Sequence, residues 1–229
     1  MNLSNSSDKT MKVDFHSHIL PGIDDGAKTL EESVQLAAAM ASWGFERITC
    51  TPHITRLYRN SPEIIREQFD NLSEALDFKG IGIDLRMSAE YRLNPETWPD
   101  VLAKGWLMPI EDKYILMEFP ISDRSEMGYL DPMEEFKKVI SLGLTPILPH
   151  PERYLYLSHD EMMSYVDAGV KIQSNYGSLA GLYGLESKYR AQKLIDKGVV
   201  SFLATDMHNL KYVETIGSWL SEGNSLWEY

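Results

Sequence analysis

Short apolar runs recur along the chain, separated by longer stretches with apolar residues at helical spacing. A polar, helix-like stretch ends at a glycine, an apolar run follows, and the run ends at a histidine, a carboxylate or an amide. Gly44 leads into 45–50 and Pro52-His53, Gly80 into 81–88 and Glu90, and Gly143 into 144–148 and His150. Gly169 leads into 170–173 and Ser174-Asn175, and Gly198 into 199–204, Asp206 and His208. Gly105 precedes a connection, after which 114–117 ends at Glu118. Together with the opening run at Met11-Lys12-Val13, this predicts seven strands. Glycine just past a helix is the expected left-handed stop. Helix starts are marked by Thr29 with Glu32, a capping-box pattern, and by Ser61-Pro62 and Asp131-Pro132. Helices are predicted over 33–42, 63–77, 133–141, 161–167 and 187–197. Strands alternating with helices imply parallel pairing and right-handed crossovers. The predicted class is α/β, a single distorted (β/α)7 TIM-like barrel. No linker interrupts it, so one domain over 11–229 follows a flexible leader, 1–10.

In such a barrel the functional groups lie at the C-terminal ends of the strands. His16, His18, His53, Glu90, Glu118, His150, Asp206 and His208 all fall there, and only His159 among the histidines does not. His16 and His18, at i and i+2, share one face of a strand, and Asp24-Asp25-Gly26 follows. Five imidazoles and four carboxylates (Asp25, Glu90, Glu118, Asp206) exceed what one ion can bind, so two or three divalent cations are expected, with a bridging carboxylate. A nitrogen and oxygen donor set without thiolate suits Mn, Fe or Zn better than Ca or Mg. Three divalent ions outweigh four carboxylates, and the cationic remainder favours a small, highly charged anion such as phosphate. Clustered metals acidify water and clamp phosphoryl oxygens, so metal-assisted phosphoester hydrolysis is the expected reaction class. Arg153, in Pro149-His150-Pro151-Glu152-Arg153-Tyr154, can grip two phosphate oxygens at once. Arg56 and Arg59, after His53, are further candidates for the pocket mouth.

The 229 residues are 43% hydrophobic, enough for a full core, with a net charge of −12. That acidity argues against nucleic-acid binding, which needs a basic surface. No apolar run approaches the ~20 residues of a membrane span, and 1–10 lack the apolar region of a signal peptide. The single cysteine, Cys50, excludes an internal disulfide framework and suits the cytoplasm. A homo-oligomer is left open, as is whether Trp219 and Trp227 pack on the barrel or on a neighbour.

The motifs Asp14-Phe15-His16-Ser17-His18, Asp24-Asp25-Gly26, Thr51-Pro52-His53, Ala89-Glu90, Met117-Glu118-Phe119, His150-Pro151-Glu152-Arg153-Tyr154 and Thr205-Asp206-Met207-His208-Asn209 resemble those of the PHP-type bacterial protein-tyrosine phosphatases of capsular and exopolysaccharide biosynthesis. The resemblance runs from about Lys12 to Asn209. It implies a PHP fold with three metals, commonly manganese. By that pattern His16, His18, Glu90 and Asp206 hold one ion. Glu90 as a bridge, Glu118 and His150 hold a second, and Asp25, His53 and His208 a third. The resemblance also implies a metal-bridging hydroxide attacking phosphorus, with Arg153 on the phosphoryl oxygens. The implied substrate is phosphotyrosine in the tail of a bacterial tyrosine kinase. Two features depart from the pattern. The run after Asn209 carries Lys211 where an arginine is common, a point charge without the planar fork. The chain also stops at Tyr229, before the Asn-Pro-containing final helix usual in relatives. Both departures bear on rate and substrate preference.

Cys50-Thr51-Pro52-His53-Ile54-Thr55-Arg56 fits the C-x5-R pattern of cysteine-dependent tyrosine phosphatases, but contains proline and no glycine to cradle phosphate. Cys50 instead reads as a buried thiol inside a strand. Two other readings remain open at this level. One is a phosphatase of small phosphomonoesters such as histidinol phosphate. The other is a non-catalytic binding protein stapled by metals.

Overall fold

A computed structural model describes residues 11–226. The leader 1–10 and Trp227 lie outside the described residues. Nine strand segments alternate with helices: β1 (Val13–Ser17), α1 (Leu30–Ser42), β2 (Arg47–Cys50), β3 (His53–Ile54), α2 (Pro62–Lys79), β4 (Asp84–Met87), β5 (Glu90–Arg92) and α3 (Trp98–Lys104). There follow β6 (Tyr114–Glu118), α4 (Pro132–Ser141), β7 (Thr145–Pro149), α5 (His159–Asp167), β8 (Lys171–Asn175), α6 (Tyr176–Leu179), α7 (Leu185–Asp196), β9 (Phe202–Ala204) and α8 (Leu210–Ser221).

These segments make seven physical strands. Thr51-Pro52 interrupts one strand into β2 and β3, and Ser88-Ala89 interrupts the next into β4 and β5. The pieces stay aligned, because Ser88 N–H donates to the Cys50 carbonyl at 2.9 Å and Glu90 N–H to the Pro52 carbonyl at 3.1 Å. Every ladder is parallel, in the orders β1-β2-β4 and β3-β5-β6-β7-β8-β9. The ring closes where the last strand returns to the first. Asp206 N–H donates to the His16 carbonyl at 2.9 Å and His18 N–H to the Met207 carbonyl at 2.8 Å. Asp14, fully buried, accepts from both the Thr205 N–H and hydroxyl at 2.8 Å. This is the distorted (β/α)7 barrel expected. Its distortion lies between β4 and β6, which do not pair. A cavity of about 330 Å³ opens there, lined by Arg47, Thr49, Arg86 and Glu111 among others.

Local chemistry sets the element ends. Thr29, Ser61 and Asp131 each accept a backbone N–H three residues on, as the caps predicted. Gly80 stops α2 in the left-handed conformation, φ 70°. β6 begins at Tyr114 as expected, and the other strands begin one to three residues later than the apolar runs suggest, because residues such as Ile81 and Ile83 pack as the ascent from helix to sheet. α3, α6 and α8 were not expected. α3 is short and starts at Trp98-Pro99 without a side-chain cap. α8 buries Ile216 and Trp219, so Trp219 packs on the barrel. The main core lies between strands and helices, while Phe15, Ile110, Leu116, Ile147 and Phe202 fill the barrel below the strand ends. Cys50 is fully buried in that core, and burial raises its thiol pKa. Among the described residues no helix is long and apolar enough to cross a membrane.

Gly26 has no room for a side chain. A Cβ there would stand 1.9 Å from the His18 carbonyl oxygen and 2.6 Å from the His18 Cβ. Gly26→Ala is expected to destabilise the fold by about 1–3 kcal/mol, the usual cost of overpacking, measured by urea denaturation. It should also weaken metal binding, because His18 must move.

Candidate metal centre

The strand ends deliver the candidate ligands, and irregular backbone aims them. In β1 the register slips by one residue between Asp14 and Ser17, a bulge that turns His16 and His18 toward the centre. His150, just past β7, and Asp206, two residues past β9, adopt φ of 37° and 51°. Left-handed backbone costs a non-glycine residue about 1–3 kcal/mol, so the fold holds strain at both positions.

Four atoms converge. His16 Nε2 lies 3.0 Å from His18 Nε2, 3.4 Å from Glu90 Oε2 and 3.3 Å from Asp206 Oδ1. His18 Nε2 lies 3.3 Å from Glu90 Oε2 and 3.4 Å from Asp206 Oδ1. Asp206 groups with both imidazoles, while Glu90 groups with His16 and His150, so the two imidazoles stand between the two carboxylates. The opposite ring nitrogens fix the tautomers. His16 Nδ1 faces Gln173 Oε1 at 2.9 Å and His18 Nδ1 faces Asp24 Oδ2 at 2.8 Å, both acceptors. Both Nδ1 atoms therefore carry hydrogen, and both Nε2 lone pairs point inward. Glu90 Oε2 and Asp206 Oδ1 are buried without a hydrogen-bond partner. Lone pairs on four desolvated atoms cannot face one another unless a cation or protons lie between them. The donor set fits a divalent metal.

Three further groupings surround this one. His150 Nε2 approaches Glu90 Oε1 at 3.1 Å, in a group with His16. Glu118 groups with His53 and Glu90, with His53 Nδ1 at 3.0 Å from Glu90 and 3.9 Å from Glu118. Asp25 Oδ1 reaches His53 Nε2 at 3.3 Å and His208 Nε2 at 3.6 Å, in a group with His18. All nine metal-ligand candidates thus meet in one cluster. The grouping differs from the expected triads in placing Glu118 with His53 and His150 with His16.

A second layer orients the ligands. Asp206 Oδ2 accepts from Asn175 Nδ2 at 2.7 Å, Arg153 Nη1 at 3.1 Å and the Tyr183 hydroxyl at 3.2 Å, which leaves Oδ1 for the centre. Arg153 also lies over the Tyr183 ring, 4.2 Å from its centroid. His208 Nδ1 donates to the Asp206 carbonyl at 2.7 Å. The structure therefore brings Arg153 to the cluster. Arg56 is 66% exposed and pairs with Glu96 instead, and Lys211 lies exposed at the start of α8. Sequence reasoning missed Arg92. It follows Glu90 at i+2 on β5, and its Nε and Nη2 both lie 2.6 Å from Glu118 Oε1. The i+2 spacing was the available signal. Asp24, Gln173 and Asn175 were missed as orienting groups as well.

The charges explain how the site stands without metal. Burial would lower the His16 pKa, yet the Glu90 and Asp206 carboxylates lift it to about 9. Burial likewise opposes charge on His18, and Asp24 and Glu90 raise its pKa well above the ordinary value. His150 moves the other way, to about 4, mainly through burial. A metal must displace the protons of His16 and His18, so affinity should climb as pH rises toward about 9, with proton release on binding. The raised imidazole pKa values stabilise the metal-free protein fully below about pH 6.5, and this contribution fades as pH approaches about 9. The metal-free protein should melt lower at pH 9 than at pH 6.5 while its metal affinity is higher. Calorimetry in buffers of different ionisation heat measures both effects.

The chain matches the profile of the family described as capsular polysaccharide synthesis, CpsB/CapC, over residues 12–214. Tyrosine-protein phosphatase YwqE of Bacillus subtilis is 34% identical over 203 residues, 87% of this chain and 78% of that protein. Tyrosine-protein phosphatase CpsB of Streptococcus pneumoniae is 28% identical over 206 residues, 86% of this chain and 83% of that protein. A solved structure from a study of YwqE and CpsB as metal-dependent tyrosine phosphatases superposes with a TM-score of 0.78 at 30% identity. It covers 92% of this chain and 86% of that one. The matched span holds every residue of the histidine and carboxylate cluster, and the chain belongs to the CpsB/CapC family.

Proposed function

We propose that this protein is a metal-dependent phosphatase that removes phosphate from tyrosine, acting in the cytoplasm on a bacterial tyrosine kinase that governs capsule or exopolysaccharide synthesis. The observation that carries the reading is the convergence of four buried lone-pair atoms, with an arginine hydrogen-bonded to the outer oxygen of one of them. The relatives named as tyrosine phosphatases support the choice of substrate. His16, His18, Glu90 and Asp206 would hold one ion. Glu90, Glu118 and His150, with His53 beside the two carboxylates, would hold a second, and Asp25, His53 and His208 a third. Manganese is the expected occupant. When bound, the ions supply an acidified water and a Lewis-acid grip on phosphoryl oxygens. Arg153 contributes its free N–H groups to the phosphoryl oxygens, where negative charge builds in the transition state. Tyr183 and Asp206 hold its guanidinium in place.

The decisive assay titrates metal-stripped protein with Mn, Fe, Zn and Mg and follows hydrolysis of a phosphotyrosine peptide beside histidinol phosphate. Chelation should abolish turnover and manganese restore it, with the peptide preferred. Preference for histidinol phosphate would move the assignment to small phosphomonoesters, and metal binding without turnover would sink catalysis altogether. Cys50→Ser should keep its activity, because the buried thiol takes no part. A second expectation concerns the guanidinium. Arg153→Lys should lower kcat/KM for the peptide by on the order of 10²–10³, with the loss mainly in kcat.

A further inference from the structure

Two guanidinium groups pair with cluster carboxylates among the described residues, and they stand on different carboxylates. Arg153 holds Asp206, between β7 and β9, while Arg92 holds Glu118, between β5 and β6. Arg92 spends Nε and Nη2 on a single oxygen, Glu118 Oε1. That pairing does two things. It leaves Glu118 Oε2 for the His53 and Glu90 side, where the two nearest groups lie. It also leaves about three of the five guanidinium N–H donors unspent on Glu118. The Arg92 side chain is 28% exposed, against 2% for Glu118, so the arginine reaches solvent where its carboxylate partner does not. On β5 the residue sits one pleat beyond Glu90, toward the open end of the barrel. Its positive charge also reaches the Tyr58 hydroxyl, on the wall next to His53.

From this geometry we infer that Arg92 is a second phosphate-binding residue of the site, which positions Glu118 with one edge and takes a phosphoryl oxygen with the other. The inference rests on the phosphatase reading above. A phosphate monoester seated over the cluster then meets a planar guanidinium on both walls, Arg153 on one and Arg92 on the other. Lysine can replace the charge on Glu118, but one ammonium group cannot present a second edge to an oxyanion.

The test uses binding readouts that do not need turnover. Wild type, Arg92→Ala and Arg92→Lys are stripped of metal and titrated with manganese by calorimetry. The manganese-loaded proteins are then titrated with inorganic phosphate. Arg92→Ala should weaken one class of manganese sites by about 10–100-fold, the usual effect of losing an orienting partner, and should weaken phosphate binding too. Arg92→Lys should recover manganese affinity to within a few-fold of wild type while phosphate binding stays at least tenfold weaker. If either variant binds phosphate like wild type, the inference is overturned. If Arg92→Ala fails to fold, Arg92→Lys alone decides by the same phosphate criterion. Failure of the wild-type protein to hydrolyse a phosphotyrosine peptide would instead remove the phosphatase reading, and it is scored separately from both titrations.

Discussion

The upper half of the barrel answers to one electrostatic constraint. Glu90 Oε2, Asp206 Oδ1 and two imidazole Nε2 atoms are buried side by side, a set that only protons or a cation between them can reconcile. Stripped of both, the arrangement would repel itself, and the surrounding residues hold it in place. Gln173 and Asp24 pin the outer nitrogens of His16 and His18. Asn175, Tyr183 and Arg153 occupy the outer oxygen of Asp206, and Arg92 that of Glu118. Gln173 Nε2 in turn donates to Asn175 Oδ1 at 2.7 Å, so the layers behind His16 and Asp206 are one continuous network. A change in any member reaches several ligands together.

Much of this could be read from the chain because the two chemical demands are periodic. A parallel barrel repeats strand, helix and glycine stop, and it collects functional groups at equivalent points of that repeat. His53, His150 and His208 stood out because each ends an apolar run. Other features lack such a signature. Asp14 looks like a polar residue at a strand start, and its role as clasp to Thr205 depends on two segments far apart in sequence. Gln173 and Asn175 lie inside or at the end of an ordinary strand, and only the closed ring brings them behind His16 and Asp206. The interruptions at Thr51-Pro52 and Ser88-Ala89 and the bulge in β1 are decisions of register, which depends on the neighbouring strand. The pairing of Glu118 with His53 is of the same kind. It follows from the distance between side chains, which no spacing in the sequence encodes.

The strained backbone belongs to the same account. His150 and Asp206 carry left-handed dihedral angles that glycine would adopt at less cost, but glycine has no side chain to offer the centre. The glycine that is present, Gly26, stands where a side chain would collide with His18. Conformational cost is therefore accepted at the ligands and avoided beside them.

The closure of the ring has a consequence for synthesis. The first ligands come from residues 16 and 18 and the last from residues 206 and 208, and the hydrogen bonds joining these ends complete the barrel. A nascent chain presents His16 and His18 long before Asp206 and His208 are made. No fragment that ends before residue 206 can assemble the four-atom centre. Catalytic competence therefore waits for the last strand, and a product that stalls before Asp206 lacks a ligand of that centre.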